Sequence, residues 1–315
     1  MGEISQTIGK KLEKYACEIF PKMGWEFITS DLSINCSRST HKSSTAKSGE
    51  KKTHGIDTLF KFYNPFTIRT EAAIVECKNH KWSDFIPSNL NQWIEELANT
   101  IECASTSPIA SPYLSDIMLT TGILLFNSSD NIYDFNKAQE TISKLTIPRR
   151  KLPIMLYLAD TGRLEKWHAL SSEIEIIKTS NKNHNFHIIY PSIGGSSWDM
   201  KPIITPSYLF SDYILSTYTK DLEDEDGGTR KIDVKAIFSF DEITDDSMLY
   251  LADMVNKLQL EAHTQRKQEI HIYFYPEKSE DRERISSCFN KIIIASKEKN
   301  YKIKFLENRR LSPVI

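Results

Sequence analysis

No stretch of about eighteen apolar residues occurs in this 315-residue chain, and the N-terminus has no basic region followed by an apolar run. Membrane spanning and secretion are therefore not expected, and the natural expectation is a soluble, cytoplasmic protein without a membrane partner. Cysteine is scarce and scattered. The five residues, Cys17, Cys36, Cys77, Cys103 and Cys288, never form a C-x-x-C pair, so neither a disulfide framework nor a thiol zinc site is suggested. A large excess of positive charge is missing too: the formal net charge of −2 argues against a protein that coats nucleic acid everywhere, and any such contact must be a local patch. There is no internal repeat and no glycine-rich phosphate loop at a strand-to-helix turn of the C-terminal half.

What is present is the composition of an ordinary globular protein, 40% hydrophobic and 26% charged, with a length that suggests two domains. Apolar residues Ile8, Leu12, Tyr15, Ala16, Ile19 and Phe20 recur at helical spacing over 5–23, and Pro21 and Gly24 stand where that helix should end. A short strand follows at 25–28. Residues 33–53 then turn polar and aperiodic, which predicts a mobile loop. Between Cys36 and Thr53 it carries Arg38, Lys42, Lys47, Lys51 and Lys52 against Glu50 alone, suited to a phosphate backbone, although a merely solvated loop fits the composition as well.

Strands at 55–63 and 68–78 flank Asn64-Pro65-Phe66-Thr67 and read as a hairpin. A helix is expected at 89–104, a buried strand at 117–126, a helix at 134–145 and strands at 152–158, 164–170, 173–178 and 186–190. The order gives an α/β fold, helices on a mixed central sheet. Gly, Ser and Pro around 192–206 mark a boundary, dividing the chain into domains 1–200 and 201–315. Beyond it come a helix at 206–218, an acidic linker ending in Gly227-Gly228, and a small βαβαβ unit whose function the residues do not reveal. Gly194-Gly195-Ser196-Ser197 reads as linker rather than as a phosphate-binding turn.

Chemistry concentrates in Gly55-Ile56-Asp57-Thr58 and Val75-Glu76-Cys77-Lys78. Residues two apart on a strand share a face, so Glu76 and Lys78 project together. A hairpin symmetric about a turn centred between Phe66 and Thr67 sets Asp57 opposite Glu76. Two carboxylates suit a hard divalent cation, and a neighbouring ammonium can orient water or stabilise developing charge. If these charges instead merely paired on an exposed sheet face, the apolar flank 72–75 would be hard to explain. His41, His54 and His80 flank the site and invite a cluster with Cys36 or Cys77, but their spacing matches no zinc pattern, so they are read as assisting histidines at most. The aromatics Phe60, Phe62, Tyr63, Phe66 and Trp82 are read as core before base-stacking platforms.

Asp57 followed by Glu76-Cys77-Lys78 resembles the signature of the PD-(D/E)xK, or restriction-endonuclease-like, nuclease superfamily. Gly9-Lys10-Lys11-Leu12-Glu13 followed by Gly24-Trp25 is similar to the helix pattern of its Mrr-like members. Ile56 stands for the family's proline and Leu12 for its usual Phe. The resemblance covers about residues 5–130. It implies a restriction-endonuclease-like core and says nothing about the C-terminal third, where the smaller βαβαβ domain is expected to serve recognition, oligomerisation or partner binding. It further implies Mg²⁺ or Mn²⁺ held by Asp57, Glu76, the backbone carbonyl of Cys77 and Glu13 directly or through water, with Glu18 as second choice for the helix acid. Lys78 would assist hydrolysis. The implied activity is endonucleolytic hydrolysis of DNA, leaving 5′-phosphate and 3′-hydroxyl ends, in restriction or anti-phage defence. Lys42, Lys47, Lys51, Lys52 and Gln92 are candidate nucleic-acid contacts, and a homodimer or a second protein subunit is the expected assembly. The alternative is a catalytically silent nuclease-fold protein that binds nucleic acid or serves as an assembly subunit.

Overall fold

The computed structural model describes residues 2–42, 51–150, 153–180, 185–191, 199–223, 227–257, 268–294, 301–307 and 311. It divides into two compact units, Met1–Glu165 with Arg310–Ile315, and Lys166–Arg309. No helix among the described residues is long and apolar enough to cross a membrane.

The first unit opens with α1 (Gly2–Lys22). Leu12, Tyr15, Ala16, Ile19 and Phe20 form its buried stripe, as their spacing predicts. The helix ends before Gly24, whose φ of 90° suits a residue without a Cβ. The strands β1 (Glu26–Asn35), β2 (Thr53–Asn64) and β3 (Arg69–His80) follow, then α2 (Pro87–Ala104), β4 (Met118–Ser128), α3 (Phe135–Ser143), β5 (Met155–Ala159) and α4 (Thr161–Ser180), which crosses into the second unit. The sheet order is β1-β2-β3-β4-β5. The first three strands pair antiparallel and the last three parallel, so the sheet is mixed.

Its two faces are covered differently. Phe20 of α1 stacks on Trp25 at 4.7 Å and meets Phe60 of β2 at 5.2 Å, defining one face. Ile56, Leu59, Ala72 and Ile74 pack with Leu97 and Ile101 of α2 on the other. Here α2 lies so close to β4 that a Cβ at Gly122 would come within 2.7 Å of the Ile101 side chain. The β2–β3 register runs from Thr58↔Val75 to Asn64↔Arg69, the symmetry expected of the hairpin. Asn64 Oδ1 accepts the Phe66 N–H at 3.0 Å and shapes the turn.

The second unit carries a sheet in the order β11-β10-β9-β8-β6-β7, with β6 (His187–Tyr190), β7 (Asp199–Lys201), β8 (Tyr213–Glu223), β9 (Thr229–Ser239), β10 (Gln268–Phe274) and β11 (Tyr301–Phe305). The short helix α5 (Pro206–Leu209) precedes β8. The last three strands are parallel and linked through α6 (Asp245–Lys257) and α7 (Asp281–Ile294), which is the expected βαβαβ unit. Leu251, Ile237, Ile272, Phe274 and Ile285 anchor its core.

Four expectations are corrected. Residues 164–178 form α4 rather than two strands: Leu164, Trp167, Leu170, Ile174 and Ile177 are buried at spacings of three and four, and Asp160 Oδ1 caps the start by accepting the Arg163 N–H at 2.9 Å. The helix expected at 206–218 stops at Leu209, because the Tyr, Ile and Thr of 213–219 pair with β9 instead. Of the acidic run expected to be linker, residues 221–223 belong to β8 and pair with β9 from Asp221↔Lys231 to Glu223↔Thr229, while 224–226 lie outside the described residues. The strand at 186–190 sits in the second sheet, paired with β7 and β8, not in the first. The division at Glu165 thus lies upstream of residue 200. Residues 194–197 lie outside the described residues.

Candidate active site

Pleating carries the side-chain alternation of β3 past its core segment. Ala72 and Ile74 face α2, so Glu76 and Lys78 face the same way, while Cys77 is buried against the opposite side. One step beyond the Thr58↔Val75 pair, Asp57 reaches across: its Oδ2 accepts the Cys77 backbone N–H at 2.8 Å. Lys78 Nζ donates to Glu76 Oε1. The Glu76 and Lys78 side chains keep 14% and 19% of their surface exposed, so the group is desolvated but not sealed.

Helix α1 brings Glu13 to the same neighbourhood, where its carboxyl feels Glu76 and Lys78. Glu18 is exposed and pairs with Lys14 at 3.8 Å. Two acids that sequence reasoning gave no role join the cluster. Asp31, with a left-handed φ of 52°, lies between Ser30↔Thr58 and Leu32↔Ile56 and thereby beside Asp57 on the neighbouring strand. The β1–β2 register was the signal that could have found it. Glu96 of α2 acts on both Glu76 and Lys78 and accepts a hydrogen bond from Gln92 at 3.2 Å, an i,i+4 pair visible in the sequence.

The electrostatics follow from crowding acids around one amine. Burial, the largest cause, pushes the Asp57 carboxyl above its ordinary range; the Cys77 N–H and Lys78 oppose the shift, and Glu13 and Asp31 add to it. Glu76 is raised by burial, against Lys78 and with Asp57 and Glu96. Glu13 is raised by burial and then by Asp31, with Glu76 adding to the shift. Burial works to lower the Lys78 ammonium, yet the Glu76 charge and hydrogen bond, with Asp57 and Glu96, leave it raised. Carboxylates raised first by burial and further by one another are groups that a bound cation would relieve.

Residues 1–163 match the family described as GAPS4 protein PD-(D/E)XK nuclease domain. The chain belongs to this family. No curated protein matches the chain. Membership places the first sheet and its helices in the PD-(D/E)xK superfamily and makes the core restriction-endonuclease-like. The match names the GAPS4 domain rather than the Mrr-like group that the helix motif resembles.

Of the other candidates in this GAPS4 nuclease domain, Lys42 and Lys52 are exposed and Lys51 Nζ stands 4.0 Å from Glu96 Oε1. Lys47 lies outside the described residues. His80 stacks on Trp93 at 5.1 Å and approaches Asp84, away from His41 and His54, which meet each other instead. Phe60 and Phe62 are buried core residues, and Trp82 stacks on Phe85 at 5.0 Å.

Proposed function

We propose that the N-terminal unit is a divalent-metal-dependent endonuclease that hydrolyses DNA phosphodiester bonds, and that it serves in defence against phage. The observation that carries this reading is the convergence of Asp57, Glu76 and Lys78 at a partly exposed site where acids outnumber the one amine they share. The donor set fits the implied ion. Carboxylate oxygens from Asp57, Glu76 and Glu13, with the Cys77 carbonyl, are hard ligands of the kind Mg²⁺ and Mn²⁺ take. When bound, such an ion supplies the positive charge that lets an anionic phosphate approach these carboxylates.

The remaining roles belong to the chain. Asp57 is held in place by the Cys77 N–H. Lys78, kept protonated by its acidic neighbours, orients the attacking water or meets charge developing on the phosphate. Water forms the new P–O bond as the P–O3′ bond breaks, leaving a 5′-phosphate and a 3′-hydroxyl. One such site cuts one strand, so double-strand cleavage calls for two copies or a second subunit. The smaller C-terminal domain is assigned to recognition or assembly.

The test uses supercoiled plasmid with Mg²⁺, Mn²⁺ or chelator, comparing the full chain with Asp57→Ala and Lys78→Ala. Metal-dependent nicking lost in both variants is expected. Tight DNA binding without nicking, in the presence of whatever partner co-purifies, would instead identify a silent nuclease-fold binder.

A further inference from the structure

On the α2 side of β2, apart from the acidic site, four side chains close on a common point. Cys36 follows β1, His41 lies in the connection after it, His54 is the second residue of β2, and Cys103 is in the last turn of α2. Their donor atoms all lie within 4.8 Å of one another, and His41, His54 and Cys103 are buried. We propose that Cys36, His41, His54 and Cys103 form a structural zinc site that ties the basic connection and the start of β2 to α2.

The distances are those of a shared ion. His41 Nδ1 lies 3.4 Å from His54 Nε2, 3.4 Å from Cys36 Sγ and 3.4 Å from Cys103 Sγ, and the two sulfurs are 3.9 Å apart. With metal–sulfur bonds of about 2.3 Å and metal–nitrogen bonds of about 2.0–2.1 Å, donors at the corners of a tetrahedron stand about 3.3–3.8 Å apart. Hydrogen bonding does not account for the arrangement, because one ring nitrogen carries a single hydrogen or a single in-plane lone pair and cannot serve three partners. Nor are the sulfurs bonded, since both cysteines are free. Two thiolates and two imidazoles are a zinc donor set, unlike the all-oxygen set around Asp57.

The surroundings orient the ligands. His41 Nε2 faces Glu102 Oε2 at 3.2 Å, which places the ring proton there and leaves the Nδ1 lone pair directed at the cluster. Thr100 donates its hydroxyl hydrogen to the Glu96 carbonyl at 2.8 Å, so towards His54 Nδ1, 3.4 Å away, it can only accept. The His54 Nε2 lone pair is thereby also turned inward. The Ser37 N–H donates to Cys103 Sγ at 3.4 Å and supports a thiolate. Cys36 Sγ lies 3.3 Å from the Arg38 carbonyl, a contact for the thiol form. Binding the ion releases both thiol protons to solvent. This site stands whether or not the acidic site cuts DNA. Its structural consequence is local: His54 is three residues before Asp57, and Lys51, at the tied end of the connection, reaches Glu96.

The full chain, purified without chelator, is analysed for metal by mass spectrometry and then exchanged with Co²⁺ under reducing conditions. About one zinc per chain is expected, and the cobalt form should show a thiolate-to-metal charge-transfer band with tetrahedral ligand-field intensities. Cys36→Ser and Cys103→Ser should each lower bound zinc about tenfold, while Asp57→Ala retains it, separating this site from the acidic one. If a Ser variant does not fold, His54→Cys decides: four ligands remain, so zinc is kept and the charge-transfer band grows. Folded chain that stays metal-free after incubation with Zn²⁺ and Co²⁺, full zinc in a Cys36→Ser/Cys103→Ser double variant, or a Cys36–Cys103 disulfide in the native protein would overturn the proposal.

Discussion

Each unit of this protein holds a carboxylate and a lysine close together on a sheet, and the two arrangements have opposite electrostatics. In the second unit Glu269 receives hydrogen bonds from Lys220, from His271 Nε2 at 2.8 Å and from Lys302 at 3.1 Å. Burial works against its charged form, but these three donors hold the carboxyl down to about 2. Burial pushes His271 down to about 4, so the neutral ring donates to Glu269 and accepts from Tyr218 through Nδ1 at 2.7 Å. That network is complete. In the first unit Lys78 is shared among Glu76, Asp57 and Glu96, with Glu13 and Asp31 close by, and the acids rise instead of falling. A buried carboxylate with cations to spare is architecture, whereas carboxylates short of cations describe a place where one should bind.

The comparison breaks most visibly if the two clusters respond alike to substitution. Lys78→Ala and Asp57→Ala should each lower plasmid nicking by at least about 10²-fold, the cost of removing one group that stabilises developing charge. Glu269→Gln should leave nicking within about twofold, because its partners Lys220, His271 and Lys302 all belong to the second unit's own sheet. Equal losses from both would mean that the contrast in charge has no functional content.

Metal and pH sharpen it next. Asp57, Glu76 and Glu13 have raised carboxyls in the folded chain. Folding therefore favours their protonated forms: the stability they contribute is full below the ordinary carboxylate pKa and is lost as pH rises through the raised values. At neutral pH the chain without ion carries the cost of keeping these carboxylates charged while buried beside one another, and a divalent ion offsets it. Titrating Mg²⁺ into zinc-replete protein should raise Tm by the equivalent of about 2.7 kcal/mol at a hundredfold excess over Kd. The rise should shrink as pH falls towards the ordinary carboxylate range and vanish in Asp57→Asn. A Tm rise independent of pH would locate the ion elsewhere.

Much of this site was legible because it rests on local rules. Strand alternation put Glu76 and Lys78 on one face, and the Asn64 turn set the register that carries Asp57 to Cys77. Helical spacing put Leu12, Ala16 and Ile19 in the core and so turned Glu13 inward. What was missed depends on distant pairing. Asp31 joins only through the β1–β2 ladder, which crosses the polar connection. The Cys36–Cys103 approach spans 67 positions and three elements, and no spacing rule covers ligands supplied one by one by a loop, a strand and a helix. The polar segment expected to be mobile is tied at its base, with the Cys36 N–H on the Lys52 carbonyl at 2.8 Å and the Lys51 N–H on the His41 carbonyl at 3.1 Å. In α4, Ile174, Ile176 and Ile177 suggested strands, although the buried positions kept helical period.

Glu13 and Glu18 offer a finer version of the same contrast within one helix. Glu13 lies in the field of Glu76 and Lys78, and Glu18 is exposed beside Lys14. Glu13→Gln should lower nicking about tenfold, equivalent to about 1.4 kcal/mol, and weaken the Mg²⁺-dependent rise in Tm. Glu18→Gln should change neither measurably, since an exposed i,i+4 pair contributes only about 0.3–0.5 kcal/mol. If Glu18→Gln proved the more damaging, the helix acid would have to be reassigned.

An effect on stability rather than on cleavage belongs to the second unit and fixes the sign of the opening contrast. Glu269 is only 12% exposed, but the lysines it pairs with reach solvent, so Glu269→Gln should cost about 1 kcal/mol near neutral pH rather than the larger loss of a sealed pair. Because its carboxyl is held down to about 2, its contribution is complete above the ordinary carboxylate pKa and disappears as pH falls towards 2. Denaturant curves of wild type and Glu269→Gln should therefore converge in acid. The Asp57→Asn curves should run the other way in chain without Mg²⁺: the variant is the more stable protein at neutral pH, and its advantage closes as acid protonates the wild-type carboxyl.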